Sequence, residues 1–436
     1  MLWAFVQGSP GDRVGANSQL RALIVVAAVL LLAGCGGRPE GVLEPVSTVA
    51  EGTSLVDIGV ATTRGRSDKP GVIFTGERGQ QLDFANIVVS IPPDSVRKIG
   101  EVQWPKKLPG NPATDFVTVK ATDMTLPEAR TWFNTRIVKT PGRQALVFIH
   151  GFNNQFDDAV YRFAQIVHDS RADVVPVLFT WPSRGSLLAY GYDRESTNYS
   201  RDALEKLLKT LSDNPNVDEI SILAHSMGNW VTIEALRQMA IRDGRIAPKI
   251  KNVMLASPDV DVDVFRSQMA DIGKQRPNFI LFVSQDDRAL AASRRIWGNV
   301  ERLGAIDPTK EPYASELAAD KVTVIDLTKL STGDKLNHGK FAESPQVVQA
   351  IGARLAAGQT ITDSHVGFGD RIIAVSTGAA ATVGSAAGLI VAAPVAIVDP
   401  NTRKNYNSNV EALGSQISDS ASATGDAIGA TTKIGQ

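Results

Sequence analysis

Short apolar segments alternate with amphipathic segments over most of the second and third quarters of the chain. ALVFIH is apolar and β-branched, and the segment DDAVYRFAQIVHDS after it repeats its apolar residues at helical spacing. Further strand-like segments each precede a helical pattern, namely VVPVLFTW, EISILAH, KNVMLAS, NFILFVS and KVTVIDL. Continuously apolar strands joined by helices indicate a parallel sheet that is covered on both faces. The predicted fold class is therefore α/β, with a mostly parallel central sheet and helices on both faces.

Two stretches depart from this regular alternation. Residues 55–140 contain short β-prone pieces between Gly, Pro and charged turns, and we interpret them as the opening strands of the sheet: VDIGVATT, GVIFTG, FANIVVSIP and DFVTVKAT. TWPSRGSLLAYGYDRES, between a strand and a helix, predicts a long loop that carries Trp181, Tyr190 and Tyr192. Such loops often shape a pocket above a rigid sheet, although the same aromatic residues could equally pack over the sheet edge.

The first residues of the chain have the pattern of a secretion signal. An apolar run over residues 22–32 follows Arg13 and Arg21, and small residues lead from it to Cys35. The run is short for a membrane span, and small residues at its end suit a signal peptidase. The pattern resembles a bacterial lipoprotein signal peptide. That resemblance implies cleavage before Cys35, a lipid on Cys35 and, with Gly36 next to it, delivery to the outer membrane facing the periplasm; an uncleaved signal anchor is the alternative.

Composition divides the chain into four predicted parts. Residues 1–34 are the signal peptide, and residues 35–54, rich in Gly, Pro and Ser, read as a tether. Residues 55–358 carry the alternating strands and helices of one domain. Residues 359–436 form an Ala/Gly-rich C-terminal region, in which residues 371–399 are long enough to span a membrane but poor in Leu and Ile. We therefore leave membrane association and disorder open for this region.

Overall composition narrows the possible partners and chemistry. The formal net charge is −1, with 45 basic and 46 acidic residues mixed along the chain, so charge gives no case for a nucleic-acid partner. Cys35 is the single cysteine. The mature protein can therefore form no internal disulfide, and a cysteine nucleophile or a thiolate metal site is excluded.

The segment SILAHSMGNW contains a candidate nucleophile. EISILA predicts a strand and GNWVTIEALRQMA a helix, so Ser226 lies at the turn between them. A nucleophile elbow has the pattern GxSxG, because small residues two before and two after the serine let strand and helix approach closely. Here those positions are Ala224 and Gly228. Ala224 departs from the strict motif by one methyl group; a serine with only a structural role at this turn is the alternative.

A serine nucleophile needs a general base, and the chain has five histidines. His168 lies within an apolar helical repeat, His225 belongs to the elbow and points away from Ser226, and His365 follows the predicted domain. His338 follows the last apolar strand in a polar loop and is the predicted base. His150 ends the strand ALVFIH and has a structural explanation as part of an HG pair that shapes the following loop.

The base in turn needs a carboxylate that fixes its tautomer. NFILFVSQDDRAL places Asp286 and Asp287 just after a strand and before His338 in the chain, which gives the order Ser, Asp, His. Asp287 is the predicted acid, although it could instead cap the helix that begins at Arg288. Asp286 and Asp259, the latter after the preceding strand, remain alternatives.

An oxyanion hole needs two backbone N–H groups that point at the developing negative charge. Met227, the residue after the nucleophile, supplies one from the start of its helix. The loop after the earlier strand FIHGFNN offers the second at Phe152, where Gly151 lets the backbone come close.

Several longer segments are similar to the α/β-hydrolase superfamily, and in particular to its bacterial branch of uncharacterised esterase or lipase-like proteins, once catalogued as a domain of unknown function. They are IHGFNNQFDDAVYRFAQIVHD, VLFTWPSRGSLLAYGYDRESTNYSRDAL, ILAHSMGNW and SQDDRALAASRRIWG. The resemblance covers about residues 57–357 and not the Ala/Gly-rich C-terminal region. It identifies a family and is uninformative about the substrate.

The resemblance implies an α/β-hydrolase fold with Ser226, Asp287 and His338 as the triad, and with Phe152 and Met227 forming the oxyanion hole. The predicted function is a serine hydrolase, a carboxylic ester hydrolase that works through an acyl-enzyme on a small-molecule or lipid ester. No metal or organic cofactor is implied. The membrane is the other expected partner, through the lipid anchor. The alternative is a non-catalytic scaffold or binding lipoprotein of the cell envelope that keeps the hydrolase fold.

Overall fold

A computed structural model of the chain describes residues 40–356. The predictions for residues 1–34, for Cys35 and for residues 359–436 lie outside the described residues. Over residues 40–356, none of the helices combines the length and the apolar character that a membrane crossing requires.

The described residues form a nine-stranded sheet with the strand order β3-β2-β1-β5-β4-β6-β7-β8-β9. Only the pairings β1–β2 and β2–β3 are antiparallel, and the other pairings are parallel. This arrangement confirms the predicted mostly parallel sheet. The strands are β1 Ser54–Arg66, β2 Phe74–Ile91, β3 Val117–Met124, β4 Gln144–Ile149, β5 Val175–Thr180, β6 Glu219–His225, β7 Ile250–Ala256, β8 Asn278–Val283 and β9 Thr323–Asp326.

Helices cover both faces of the sheet, as predicted. One apolar core joins the sheet to α1, α3, α4 and α5, and the other joins it to α2, α8 and α9. Successive residues of β4, all fully buried, point alternately into the two cores, as the pleat of a strand requires. The helices are α1 Leu126–Ile137, α2 Phe156–Ser170, α3 Tyr190–Ser212, α4 Gly228–Asp243, α5 Val262–Ile272, α6 Arg288–Ile296, α7 Tyr313–Ala319, α8 Lys340–Glu343 and α9 Pro345–Ala356.

Two elements differ from the sequence-based prediction. Helix α1 lies inside the region interpreted as strands only, and it begins with a capping box in which the Glu128 carboxylate accepts the Thr125 N–H at 2.7 Å. Helix α3 begins at Tyr190, within the predicted long loop. The first turns of α3 bury polar residues, including Asp193 and Ser196, in place of an apolar stripe. Helical periodicity of apolar residues is therefore absent there, although the backbone is helical.

Candidate active site

Ser226 occupies the sharp turn between β6 and α4. Its φ is +52°, a left-handed conformation that a non-glycine residue adopts at an energetic cost. The Ser226 N–H donates to the Ala256 carbonyl at 2.9 Å, which ties the turn to the end of the neighbouring strand β7. The side chain of Asn229 donates to both the Ser226 and the Ala256 carbonyl, at 2.9 and 3.0 Å. The turn is therefore held in its strained conformation from two sides.

Close backbone approach explains the small residues around Ser226. A Cβ at Gly228 would lie 2.3 Å from the His150 carbonyl oxygen, so only glycine fits where α4 passes the end of β4. A Cβ at Gly151 would lie 2.8 Å from the Ser226 Cβ. The elbow and the loop after β4 are thus in direct contact, as two parts of one site require.

His338 and Asp287 form a hydrogen-bonded pair beside this turn. The His338 Nδ1 lies 2.7 Å from the Asp287 Oδ2, and the Asp287 side chain is fully buried. The other carboxylate oxygen of Asp287 accepts the Leu290 N–H at 2.9 Å and caps α6. One carboxylate thus binds the histidine and caps the helix, the two roles that the sequence left as alternatives.

The surroundings of His338 raise its pKa above the ordinary value of 6.5. Burial is the largest single effect and lowers the pKa, but the charge of Asp287 and its hydrogen bond outweigh it, with smaller contributions from Asp259 and Asp334. The bond from Nδ1 to the carboxylate also fixes the tautomer, so that the neutral ring carries its lone pair on Nε2. A neutral His338 in this position can accept a proton, and its cationic form is stabilised.

Asp286, the first alternative acid, binds Lys340 and not His338. Both of its carboxylate oxygens accept hydrogen bonds from the buried Lys340 ammonium, at 2.8 and 2.9 Å, and one also accepts the Ser284 hydroxyl. Lys340 lies two residues after His338, and Asp286 lies one residue before Asp287. This ion pair therefore joins the loop of the predicted base, His338, to the loop of the predicted acid, Asp287.

Asp259, the second alternative acid, lies at the site without a hydrogen bond to His338. Its carboxylate accepts the Tyr190 hydroxyl at 2.7 Å and the Ser293 hydroxyl at 2.6 Å, and Arg302 pairs with it at 3.3 Å. Its backbone N–H lies 3.3 Å from the Ser226 carbonyl oxygen. The carboxylate is held in this network, which fixes the Tyr190 side chain beside the Phe152 ring.

His225 contacts the base, a role that sequence reasoning missed. Its ring centroid lies 4.8 Å from that of His338, and its Nε2 donates to the His338 carbonyl at 3.2 Å. Burial, and then the charge of His338, hold the pKa of His225 well below 6.5, so this ring stays neutral. Within residues 40–356, no hydrogen bond joins the Ser226 hydroxyl to His338. Catalytic hydrogen bonds of this kind often form only when the substrate is bound.

The two predicted oxyanion donors belong to different elements, the loop after β4 and the start of α4. Across the described part of the chain, no hydrogen bond uses the backbone N–H of Phe152 or of Met227. The Asn154 side chain donates to the Phe152 carbonyl at 2.8 Å, and the Asn154 N–H donates to the Ser183 hydroxyl at 3.1 Å. The peptide that carries the Phe152 N–H is held through its carbonyl, that of Gly151, which accepts from the His150 Nδ1 at 2.8 Å. Met227 directly follows Ser226, Phe152 follows the glycine that packs against Ser226, and side-chain bonds hold the loop of Phe152.

A buried guanidinium lies beneath this loop. Arg64, at the end of β1, donates to the Asn154 carbonyl at 2.9 Å, to the Ser183 carbonyl at 2.9 Å and to the His150 Nε2 at 3.1 Å. Burial lowers the pKa of Arg64 to about 10, so it remains cationic at neutral pH. No motif in the sequence indicates a role for Arg64. For Asn154, the only signal is its position directly after the segment FIHGFN.

The His150 side chain has a structural role. Its Nδ1 donates to the Gly151 carbonyl at 2.8 Å, its Nε2 accepts from Arg64 and the Trp181 N–H, and the ring stacks on Trp181 with centroids 4.9 Å apart. Burial and the charge of Arg64 hold the pKa of His150 well below 6.5. Both nitrogens are occupied, which leaves none to take a proton from a nucleophile.

The carboxylates at the site are each engaged with protein groups: Asp287 with His338, Asp286 with Lys340, and Asp259 with Tyr190. Among residues 40–356, no group of three or more His, Cys, Asp or Glu side chains is arranged to hold a metal ion.

Comparison with known proteins shows what the chain is similar to. The family model described as "Alpha/beta hydrolase of unknown function (DUF900)" matches residues 126–354 of the 436-residue chain. An uncharacterized protein of Nostoc sp. is 24% identical over 150 residues; the match covers 28% of this chain and spans only 39% of that protein. The crystal structure of the esterase domain of a Rhodothermus marinus protein aligns with 57% of this chain and 95% of that domain, at 14% identity and a TM-score of 0.28.

Proposed function

Because the chain belongs to the family of α/β-hydrolases of unknown function, we propose that it is a serine hydrolase that cleaves carboxylic esters. The observation that supports this proposal most strongly is the 2.7 Å bond between Asp287 and His338 beside the strained turn of Ser226. A carboxylate, an imidazole and a serine on a strand-to-helix turn are the parts that acyl transfer requires.

In the proposed reaction, the Ser226 Oγ attacks the ester carbonyl carbon while the His338 Nε2 takes the hydroxyl proton. Asp287 stabilises the imidazolium that forms. The proton then passes to the oxygen of the leaving alcohol as the carbon–oxygen bond breaks, and the acyl group remains on Ser226. A water molecule, deprotonated by His338, attacks the acyl-enzyme and releases the acid, which restores the serine hydroxyl.

The tetrahedral intermediate carries its negative charge next to the N–H groups of Phe152 and Met227 in this proposal. Each such donor is worth about 3 kcal/mol in the transition state. Both groups lack a partner among the described residues, so they need not break a bond before they bind the oxyanion. His150 holds the peptide of the Phe152 N–H through the Gly151 carbonyl, and Arg64 donates to His150 and to the Asn154 carbonyl, so both serve as positioning residues.

A second candidate function, a non-catalytic scaffold or binding lipoprotein of the cell envelope, is favoured by one observation. The described structure gives the Ser226 hydroxyl no hydrogen bond to His338. A protein that had lost turnover would retain the fold and the buried Asp287–His338 pair while the serine remained inactive. Turnover of esters separates the two functions.

The test is hydrolysis of p-nitrophenyl acetate and butyrate, with the matching anilides, by the purified full chain. We expect ester turnover by the wild type and its loss in Ser226→Ala. Ser212→Ala is the matched control, since this buried serine also has an unpaired hydroxyl but lies at the end of α3. No ester turnover by folded wild-type protein, or the same loss in both variants, would remove the support for the enzyme.

We also propose that the protein is anchored in the outer membrane by a lipid on Cys35 and faces the periplasm. The support is the sequence pattern before this single cysteine. Cells grown with an alkyne-labelled fatty acid should label the wild type and not a Cys35→Ser variant. Equal labelling of the two would contradict the anchor.

A further inference from the structure

Large apolar side chains are exposed on the segments that surround the proposed triad. They lie on the turn before α3, at the end of α6 and just after it, and in the loop that leads to the base. We call this group the apolar rim; its members and their exposed fractions are Leu187 70%, Leu188 98%, Ile296 62%, Trp297 43%, Val300 36% and Leu336 51%.

Contacts with site residues place the rim around Ser226. Leu187 and Leu188 lie in the helical turn that leads into Tyr190, whose ring lies 4.9 Å from that of Phe152. The Trp297 Nε1 donates to the Tyr190 hydroxyl at 2.9 Å, so the end of α6 meets the same ring. The turn before α3 and the end of α6 therefore flank the predicted oxyanion loop together.

The third part of the rim adjoins the base. Leu336 lies two residues before His338, and its carbonyl accepts the Arg288 N–H at 2.9 Å, at the start of α6. Helix α6 therefore extends from Leu336 at one end to Trp297 at the other, a distance of about 13 Å. Exposed apolar side chains grouped around an active site mark a surface that contacts a partner or a membrane.

Basic side chains accompany the rim. Arg295 is exposed on α6 and Lys335 is exposed next to Leu336, and within the described residues no carboxylate pairs with either. Arg294, also on α6, pairs with Glu301 at 2.9 Å, and both of these side chains are largely in water. Exposed apolar side chains with cationic neighbours are complementary to an anionic lipid surface. Trp side chains also favour the headgroup region of a membrane.

The chain enters the domain at the same edge of the sheet. Strand β1 runs parallel to β5, so the turn after Arg66 lies at the edge where the carboxyl ends of the parallel strands carry the site. The Leu43 N–H donates to the Gly71 carbonyl in this turn at 3.2 Å.

We propose that the apolar rim docks on the surface of an anionic lipid bilayer, with Leu188 and Trp297 among the lipid headgroups. Ser226 would then receive esters directly from that surface, so the substrate class would be membrane-resident acyl esters. The proposed docking surface depends only on the apolar rim. The proposed substrate class also depends on the proposed serine hydrolase function.

A fluorophore at position 188 tests the docking surface directly. Cys35 is the single cysteine, so the full chain with Cys35→Ser and Leu188→Cys takes an environment-sensitive NBD label at one place. We expect a blue shift and a rise in emission with vesicles of phosphatidylcholine and phosphatidylglycerol. The matched control is Cys35→Ser with Ile241→Cys, because Ile241 is 53% exposed and lies about 20 Å along α4 from the elbow.

Three results would overturn the docking assignment. They are an unchanged spectrum at position 188, an equal change at position 241, or a change at position 188 that follows protein concentration without vesicles. The last result would identify a second copy of the chain as the partner. An equal response on vesicles of phosphatidylcholine alone would remove the anionic part of the assignment.

Hydrolysis then tests the substrate class. In Leu187→Ser/Leu188→Ser, we expect hydrolysis of a long-chain ester in anionic vesicles to fall about tenfold or more, with hydrolysis of soluble p-nitrophenyl butyrate unchanged. Val138→Ser/Ile241→Ser, which changes exposed residues away from the rim, should leave both rates unchanged. Equal loss on the two substrates would contradict the substrate class. Failure on the soluble ester in the wild type would instead reject the serine hydrolase itself.

Discussion

His338 and His150 are both largely buried beside Ser226, yet their surroundings make them opposite kinds of group. His338 binds Asp287 through Nδ1 and has a pKa above 6.5. His150 lies next to the Arg64 cation, has both nitrogens occupied and has a pKa well below 6.5. Burial lowers the pKa of both rings. The sign of the neighbouring charge therefore separates the base from the structural ring.

The loops around His338 and His150 are also held in place in two different ways. Around His338, a carboxylate orients the reactive ring and the Asp286–Lys340 pair joins two loops. Around His150, the ring is itself an acceptor that helps to satisfy a buried guanidinium. A buried cation without such acceptors would be strongly destabilising. In the proposed reaction, the second arrangement supplies a fixed backbone for the Phe152 N–H, and the first supplies proton transfer.

The largest expected effect comes from the same substitution at the two histidines. His338→Gln should lower kcat/KM for a soluble ester by about 10⁴-fold, because the proton acceptor is lost. His150→Gln should lower it by about tenfold or less, because the Gln oxygen can still accept from Arg64. Steady-state kinetics with circular dichroism as the folding control measures both. Equal losses in folded variants would contradict the division of roles.

The next effect distinguishes the candidate acids. Asp287→Asn should reduce kcat by about 10³-fold or more, since an amide at this place favours the wrong tautomer of His338. Asp259→Asn should cost about tenfold or less, because Asp259 binds Tyr190 and Ser293 and not the base. A larger loss at Asp259 than at Asp287, in folded variants, would transfer the acid role to Asp259.

Arg64→Met removes the cation from beneath the oxyanion loop. We expect kcat to fall by about tenfold with KM nearly unchanged, since the Phe152 N–H loses its fixed position only in part. The same change should raise the pKa of His150, because the charge of Arg64 lowers it. NMR titration of the His150 ring measures this shift. An unchanged His150 pKa with unchanged kcat would refute the positioning role.

The smallest expected effect is a shift of pH dependence. Activity requires neutral His338, so kcat/KM should fall as pH decreases through a midpoint above 6.5. The raised pKa also means that the contribution of His338 to stability is full below 6.5 and is lost as pH rises through the folded-state value. Asp287→Asn should move the acid limb of the residual activity to lower pH. Without the charge of Asp287, burial becomes the dominant effect on the pKa of His338 and lowers it. An acid limb that stays in place would count against this pairing.

The sequence predicts most of the sheet because continuously apolar strands are easily recognised. The parallel strands from β4 to β9 all lie within or next to segments predicted as strands. Helix α1 was missed, although the Thr-Leu-Pro-Glu sequence at residues 125–128 is a capping signal. The start of α3 carries no such signal, since its buried face is polar and depends on contacts with distant segments.

Site residues can be predicted from the sequence where they directly follow recognisable strands of the parallel sheet. Ser226, Asp287 and His338 follow β6, β8 and β9, and parallel strands bring their carboxyl ends to one edge. Arg64 could not be predicted in this way, because it lies within β1 and no motif indicates which strand β1 pairs with. Only the pairing of β1 with β5, and of β5 with β4, brings Arg64 and His150 together.

The central claim is that Ser226 is an activated nucleophile, and covalent labelling tests it most directly. The full chain is treated with a fluorophosphonate probe and analysed by intact mass and peptide mapping, beside folded Ser226→Ala and His338→Ala variants. We predict stoichiometric modification of the wild type at Ser226 and none at that position in either variant. A folded wild type that stays unmodified, or that is modified at another residue, would contradict the claim.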